Sequence, residues 1–92
     1  MNSRAAATPD GSVFVRVAEA GHVVGVQLES AVMRRPGHEI AERIMACADA
    51  AYLAGQVALR DRIAAGHATP DCYDWMPVPG DVEAAVARLG QL

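Results

Sequence analysis

The sequence contains no lysine, and aromatic side chains make up only 4% of its 92 residues. All eight basic residues are arginine, and eleven acidic residues outnumber them, so the formal net charge is -3 at pH 7. A protein with this balance has no broad cationic surface to attract phosphates, which disfavours nonspecific binding to nucleic acid and to anionic membranes. The composition does not exclude a local cluster of arginines.

Cysteine is scarce as well, with only Cys47 and Cys72 in the sequence. Their spacing matches neither a CxxC motif nor a zinc-finger pattern, and reduced thiols are typical of cytoplasmic proteins. The apolar stretches are shorter than the roughly 20 residues that a membrane-spanning helix needs. The first ten residues also lack the apolar core of a signal peptide. The sequence therefore predicts a soluble protein of the cytoplasm.

Motifs of enzyme active sites are missing from the sequence. A zincin motif would begin at His38, but its second histidine position holds Glu42. Neither a GxSxG nucleophile elbow nor a glycine-rich phosphate loop occurs. Four residues with ligand-type atoms have a spacing more typical of a solvated loop than of a metal site: His67, Asp71, Cys72 and Asp74. We predict a protein that is not an enzyme and has no catalytic residues, metal or cofactor.

Valine recurs with the two-residue period of a β-strand. The alternating positions are Val13, Val15 and Val17 in a first run and Val24, Val26 and Leu28 in a second. Ala20 and Gly21 lie between the runs, where a glycine permits the positive φ of a tight turn. The pattern predicts an antiparallel β-hairpin. Residues 1–10 have no structural period, and we predict that they form a disordered tail.

A three- to four-residue period follows Pro36 and predicts one long helix over residues 38–65, ended by Gly66. Its apolar positions are Ile40, Ile44, Ala48, Ala51, Gly55, Leu59 and Ile63. At about 1.5 Å per residue, this helix is about 42 Å long and extends beyond any sheet that it covers. Prolines then predict a loop, and Asp81 is placed to cap a short C-terminal helix. The fold class is α+β, with the hairpin and long helix in residues 11–66 and the loop and short helix in residues 67–92.

One hairpin and one long helix make a marginal globule, because an isolated hairpin is barely stable in water and its edges are open to pairing. The helix carries a stripe of small residues that allows close helix contacts. We therefore predict a homodimer whose interface includes Ala48, Ala51, Gly55 and Leu59. The alternative is a monomer in which the C-terminal helix completes the core.

The order of these segments resembles a known family. It comprises a GSVxV strand, a turn at Gly21, a second strand reading VVGVQL and a helix containing IAERIMACADAA. This pattern is similar to the YbaB/EbfC family of small homodimeric bacterial proteins, and more closely to the actinobacterial type VII (ESX) secretion-associated proteins EspD and EspH. The similarity covers Gly11 through Leu28, the helix around Ile44 to Ala51, and MPVPGDVEAAVA near the end.

The resemblance implies two different functions. The wider YbaB/EbfC family is nucleoid-associated and binds DNA, whereas the secretion-associated relatives imply an accessory or stabilising role in type VII secretion through protein contacts. Export signals of such systems have the form YxxxD/E, which neither Tyr52 nor Tyr73 fits. The family also has an N-terminal helix and a further strand in front of the hairpin, and residues 1–10 show no pattern for either.

Two groups of residues are candidate contacts with partners. Tyr73, Trp75 and Met76 lie between prolines, where aromatic residues serve either as interface anchors or as packing against the sheet. The second group, Arg16, Arg34 and Arg35, forms either a patch that contacts DNA phosphates or a set of solvated side chains beside acidic residues. We favour a protein-binding homodimer with an unidentified, secretion-related protein partner, and treat DNA binding as the alternative.

Overall fold

The computed structural model describes residues 3–92 and contains one sheet and two helices. The sheet has three antiparallel strands in the order β1 (Ser3–Ala7), β2 (Val13–Ala18) and β3 (Val23–Leu28). A 3₁₀ turn (Ser30–Arg34) leads into the long helix α1 (Gly37–Ala65), and a second 3₁₀ turn (Pro70–Cys72) precedes the short helix α2 (Pro79–Leu89). The predicted α+β class, hairpin, long helix and short C-terminal helix are confirmed.

The prediction of a disordered tail over residues 1–10 is wrong for the residues that the structure describes. Ser3–Ala7 form β1, which pairs with β2 from Ser3 opposite Ala18 to Ala7 opposite Phe14. The segment SRAAA has no alternating or β-branched residues, so its strand conformation comes from pairing with β2 and not from local propensity. Residues 1 and 2 of the predicted tail lie outside the described residues.

A hydrogen-bonded turn joins β1 to β2 and fixes their register. One carboxylate oxygen of Asp10 accepts hydrogen bonds from the Ser12 main-chain N–H at 3.0 Å and from the Ser12 and Thr8 hydroxyls at 2.7 Å each. Gly11 takes a φ of 75° in this turn, a conformation that favours glycine. The Ser12 main-chain N–H, followed by the two hydroxyls, holds the pKa of Asp10 well below its ordinary value.

This carboxylate makes the stability of the fold sensitive to acid. Because the pKa is lower in the folded than in the unfolded chain, the contribution is fully present above the unfolded value of about 3.9 and is lost as the pH falls below it. When the pH is lowered from about 5 to about 3, we expect the free energy of unfolding to fall by less in Asp10→Asn than in the wild type. Urea unfolding of both proteins across that range tests this, and parallel losses would contradict it.

The core lies between the β2 face of the sheet and the two helices. Val13, Val15 and Val17 are buried, as their alternation predicts, and they pack against Cys47, Ala50 and Ala51 of α1. The core is completed by Val32 from the first 3₁₀ turn and by Ala85 and Leu89 of α2. Most of these side chains are small, so the helices approach the sheet closely.

α1 has 29 residues and extends past the end of the sheet, as its predicted length requires. It ends at Ala65, and Gly66 follows it as predicted. Helix α2 begins at Pro79, two residues before the predicted start, and its Asp81 carboxylate accepts a hydrogen bond from the main-chain N–H of Val78 at 2.9 Å. Asp81 therefore caps the helix from inside its first turn.

The molecule is elongated and exposes more surface than a compact domain of its size. Its extents are 50 × 26 × 17 Å and its radius of gyration is 14.6 Å. A compact domain of this length has a radius of gyration of about 12.3 Å. The accessible surface is 5691 Å², against about 5,100 Å² for a folded monomer of the same mass. A single chain therefore leaves on the order of 600 Å² of extra surface in contact with water.

Candidate interaction surfaces

The third strand of the sheet has little cover from either helix. α1 packs over β1 and β2. A helix about 10 Å wide spans two strands that lie about 4.8 Å apart, so the third strand falls outside its reach. As a result four large apolar side chains of β3 are 37–48% exposed: Val23, Val24, Val26 and Leu28. The alternation of valines predicts the strand but not its exposure.

The outer edge of β3 also has main-chain groups that no other strand of residues 3–92 pairs with. The Glu29 N–H donates to the Ser12 carbonyl at 2.8 Å, which makes Ser12 and Glu29 a hydrogen-bonded pair. Hydrogen-bonded pairs alternate along an antiparallel ladder. In this register the N–H and C=O groups of Val26 and Leu28 therefore point away from β2, toward the free edge. The uncharged segment VVGVQL was the sequence signal for such an edge.

The loop between the helices packs on α1 through part of its apolar residues. Met76 is buried, with 4% of its surface exposed. Tyr73 is half-buried, with the Arg60 guanidinium 5.3 Å from its ring centre and the Arg60 Nε donating to its carbonyl at 3.3 Å. Trp75 is 73% exposed, and its indole N–H donates to the Cys72 carbonyl at 3.1 Å. Of the three candidate contact residues, only Trp75 is freely available to a partner.

The predicted helix interface is largely covered within one chain. Ala51 is buried in the core, so its assignment to a dimer interface is wrong. Gly55 lies beside Arg4 of β1, where an added Cβ would be 3.6 Å from the Arg4 Cγ. Ala48 and Leu59 are half-buried, and Ala48 packs against the core. The small residues allow α1 to pack closely on its own sheet, which the sequence pattern alone does not distinguish from packing between chains.

A groove of about 500 Å³ lies between the end of the sheet and the part of α1 that extends past it. Its lining includes the small residues Ala18, Gly55 and Ala58 and the ion pair between Arg62 and Glu19. Tyr52 forms a wall and packs against Gly21, where an added Cβ would be 3.1 Å from the Tyr52 ring. Gly21 also has a φ of 102°, so the hairpin turn requires glycine for two reasons.

The three candidate arginines do not share a common environment. Arg16 lies on β2, donates to the Ser3 hydroxyl at 3.0 Å and has its guanidinium 5.5 Å from the Phe14 ring centre. Arg35 precedes α1 and pairs with Glu39 at 3.6 Å, while Arg34 is exposed at the end of the first 3₁₀ turn. The charge of Arg35 is thus already matched by a carboxylate.

Arg43 is a charged residue of α1 that lies inside the molecule. Its spacing puts it on the polar face of α1, yet only 6% of its surface is exposed. Nη1 donates to the Glu39 carbonyl at 3.2 Å and Nη2 to the main-chain oxygen of Leu92 at 3.3 Å. The Glu39 carboxylate lies 3.9 Å from Nη1, as expected for an i,i+4 pair. Among the described residues, none accepts a hydrogen bond from the buried Nε.

The two cysteines have contrasting surroundings. Cys47 is buried against the Val13 carbonyl, and desolvation raises the pKa of its thiol. Cys72 is exposed in the loop, with its sulfur 3.6 Å from the Thr69 hydroxyl. Because the thiolate is the reactive form, we expect one thiol per native chain to react rapidly with a disulfide reagent and Cys72→Ser to remove that fast phase. A fast phase that survives in Cys72→Ser would contradict this placement.

Among residues 3–92, no three His, Cys, Asp or Glu residues come close enough together to hold a metal ion. No helix in the same range is both long enough and apolar enough to cross a membrane.

Comparison with known proteins places the chain in a family. Residues 2–91 match the family described as "Protein of unknown function (DUF2694)". The chain is 30% identical over 81 residues to Uncharacterized protein Rv0028 of Mycobacterium tuberculosis and to Uncharacterized protein Mb0029 of Mycobacterium bovis. Each alignment covers 88% of this chain and 78% of the relative. No solved structure matches the chain significantly. The chain therefore belongs to the DUF2694 family.

Proposed function

We propose that this protein is a non-enzymatic homodimer that acts through protein–protein contacts in the cytoplasm, as an accessory or stabilising factor of type VII secretion. The observation that carries the protein-binding part is the apolar surface that one chain leaves uncovered, on β3 and at Trp75. Exposed apolar patches bordered by polar residues mark protein interaction sites in soluble proteins. The elongated shape and extra accessible surface of the single chain support the dimer.

The link to secretion comes from the sequence resemblance to EspD and EspH. Two findings support it. β1 supplies a strand in front of the hairpin, as in the general YbaB-like pattern, so it supports the resemblance without favouring one of the two functions. The relatives of this chain are mycobacterial, and mycobacteria are actinobacteria, the group in which the secretion-associated proteins occur.

Trp75 is the proposed anchor for the protein partner. Tryptophan is enriched among residues that dominate binding energy, and the hydrogen bond from its indole to Cys72 fixes the ring before binding. We expect affinity capture from a mycobacterial lysate to recover type VII secretion proteins with the wild type and to lose them with Trp75→Ala. Val86→Ala is the matched control, because Val86 is an exposed apolar residue on α2. Identical captured proteins for all three baits would remove Trp75 as the anchor.

The alternative function is DNA binding at the nucleoid, and a mobility-shift assay with duplex DNA distinguishes it from protein binding. The placement of Arg16, Arg34 and Arg35 supports it less, because Arg35 is paired with Glu39 and the net charge is negative. We expect no mobility shift of duplex DNA at low salt. A shift that weakens with salt and is lost in the double variant Arg34→Ala/Arg35→Ala would instead favour the DNA-binding function.

A further inference from the structure

We propose that β3 is the dimerisation strand, and that two copies of the chain pair edge to edge through β3 to form one six-stranded antiparallel sheet. This inference rests on the proposed homodimer and identifies the surface that builds it. Two observations at the same residues support it. The main-chain groups of Val26 and Leu28 point to a free edge, and the side chains of both residues are exposed.

The two edges of the sheet differ in a way that selects β3. β1 carries Arg4, and a charged residue on an edge strand opposes pairing with another chain. β3 reads VVGVQL and has neither a charge nor a proline, so nothing in its sequence prevents a second strand from pairing with it. An exposed apolar edge of this kind is stable in water only when something covers it.

A second copy of β3 fits this edge because an antiparallel pair has two-fold symmetry. A hydrogen-bonded pair must form between residues whose main-chain groups point outward, and Val26 is one of the two that the register identifies. A two-fold axis at Val26 places the two Val26 residues side by side. It also brings Leu28 close to Val24 of the second copy, the residue at which the pairing of β3 with β2 shifts by one. In the same register Glu29, the residue after the strand, lies opposite Val23 of the second copy.

The same pairing extends the core. Val26 and Leu28 lie opposite Val15 and Val13, and directly paired residues of two strands share a face of the sheet. Their side chains therefore project on the side of the sheet that carries α1. Two copies side by side place these residues in one apolar strip at the centre of the joined sheet. The extra surface of two chains, on the order of 1,200 Å², is comparable with the lower limit for a stable interface.

A charge at Val26 tests the pairing by removing it. We expect the wild type to have twice the 9.7 kDa mass of one chain in size-exclusion chromatography with light scattering. Val26→Lys places two like charges at the two-fold axis and should raise the dimer dissociation constant at least about tenfold. Val86→Lys is the matched control, because Val86 is an exposed valine away from the sheet, and it should stay dimeric.

The outcomes separate this inference from the proposed homodimer. A dimeric wild type with a dimeric Val26→Lys would overturn pairing through β3 and leave the homodimer standing. A monomeric wild type at every concentration would overturn both.

A cysteine at Val26 tests the register directly and does not depend on a lysine variant that folds. Hydrogen-bonded antiparallel partners have Cα atoms about 5.5 Å apart, within the range of a disulfide. We expect Val26→Cys in a Cys72→Ser background to form a disulfide-linked dimer on mild oxidation. Gln27→Cys in the same background should not, because its two copies would be about 8 Å apart. Equal crosslinking of the two variants, or none in either, would overturn the register at Val26.

Discussion

Val15→Ala is expected to lower the free energy of unfolding by about 2–3 kcal/mol, whereas Val26→Ala lowers it by less than about 1 kcal/mol. The two valines are cross-strand partners on the same face of the sheet. They differ in cover, because Val15 is fully buried under α1 and Val26 is 43% exposed. A domain of this length has a total stability of about 5–14 kcal/mol, so the loss at Val15 is a large part of it.

Chemical denaturation at two protein concentrations measures both effects. The loss at Val15 should be the same at each concentration, because its contacts lie within one chain. The loss at Val26 should grow with concentration, because the dimer contributes to stability by mass action and Val26 lies on the proposed interface. Equal losses for the two valines at low concentration would show that α1 covers β3 as well as β2, contrary to the structure.

The buried face of β2 could be predicted from sequence because alternation reports burial directly. Val13, Val15 and Val17 alternate with residues of the other face, and a two-residue period has no other common structural meaning. The exposure of β3 could not be predicted in this way. Its alternation is just as regular, but cover depends on how many strands one helix spans, which is a property of the assembled layers.

The strand β1 could not be predicted from its own residues, for a different reason. SRAAA contains no side chain that prefers a strand, and its conformation depends on main-chain pairing with β2 and on the turn that Asp10 holds together. The sequence did contain the parts of that turn, since Thr8, Asp10 and Ser12 surround a glycine. Turn chemistry in residues 8–12 was therefore the signal that a strand precedes the hairpin.

The stripe of small residues on α1 does not determine what the helix packs against. Ala51 and Gly55 allow a close approach, but the same side chains serve a helix that packs on another helix and one that packs on a sheet. The structure uses them against β1 and β2. The free edge of the sheet at β3, and not the stripe on α1, is therefore the surface that one chain leaves open to a second.

Arg43→Ala is the second substitution with a large expected effect. It removes a side chain that is buried in the structure, although the periodicity of the sequence assigns it to the solvent-facing side of α1. Helical patterns treat every charged residue as exposed, yet the stem of Arg43 packs inside the molecule. Its guanidinium donates to the main-chain oxygen of Glu39 and to that of Leu92, which lies 49 residues further along the sequence than Arg43. Truncation to alanine deletes the buried methylene groups and leaves the Leu92 oxygen without this donor. We expect a loss of about 2–4 kcal/mol in the free energy of unfolding.

Arg43→Met separates packing from charge at the same position. Methionine keeps most of the buried volume and removes the guanidinium, including the Nε that donates to no acceptor among residues 3–92. Because a buried charge with incomplete hydrogen bonding contributes little net stability, we expect Arg43→Met to lose less than half of what Arg43→Ala loses. Urea unfolding of the three proteins at neutral pH measures the difference. If methionine costs as much as alanine, the hydrogen bonds of the guanidinium and not its stem hold α1 to the end of the chain.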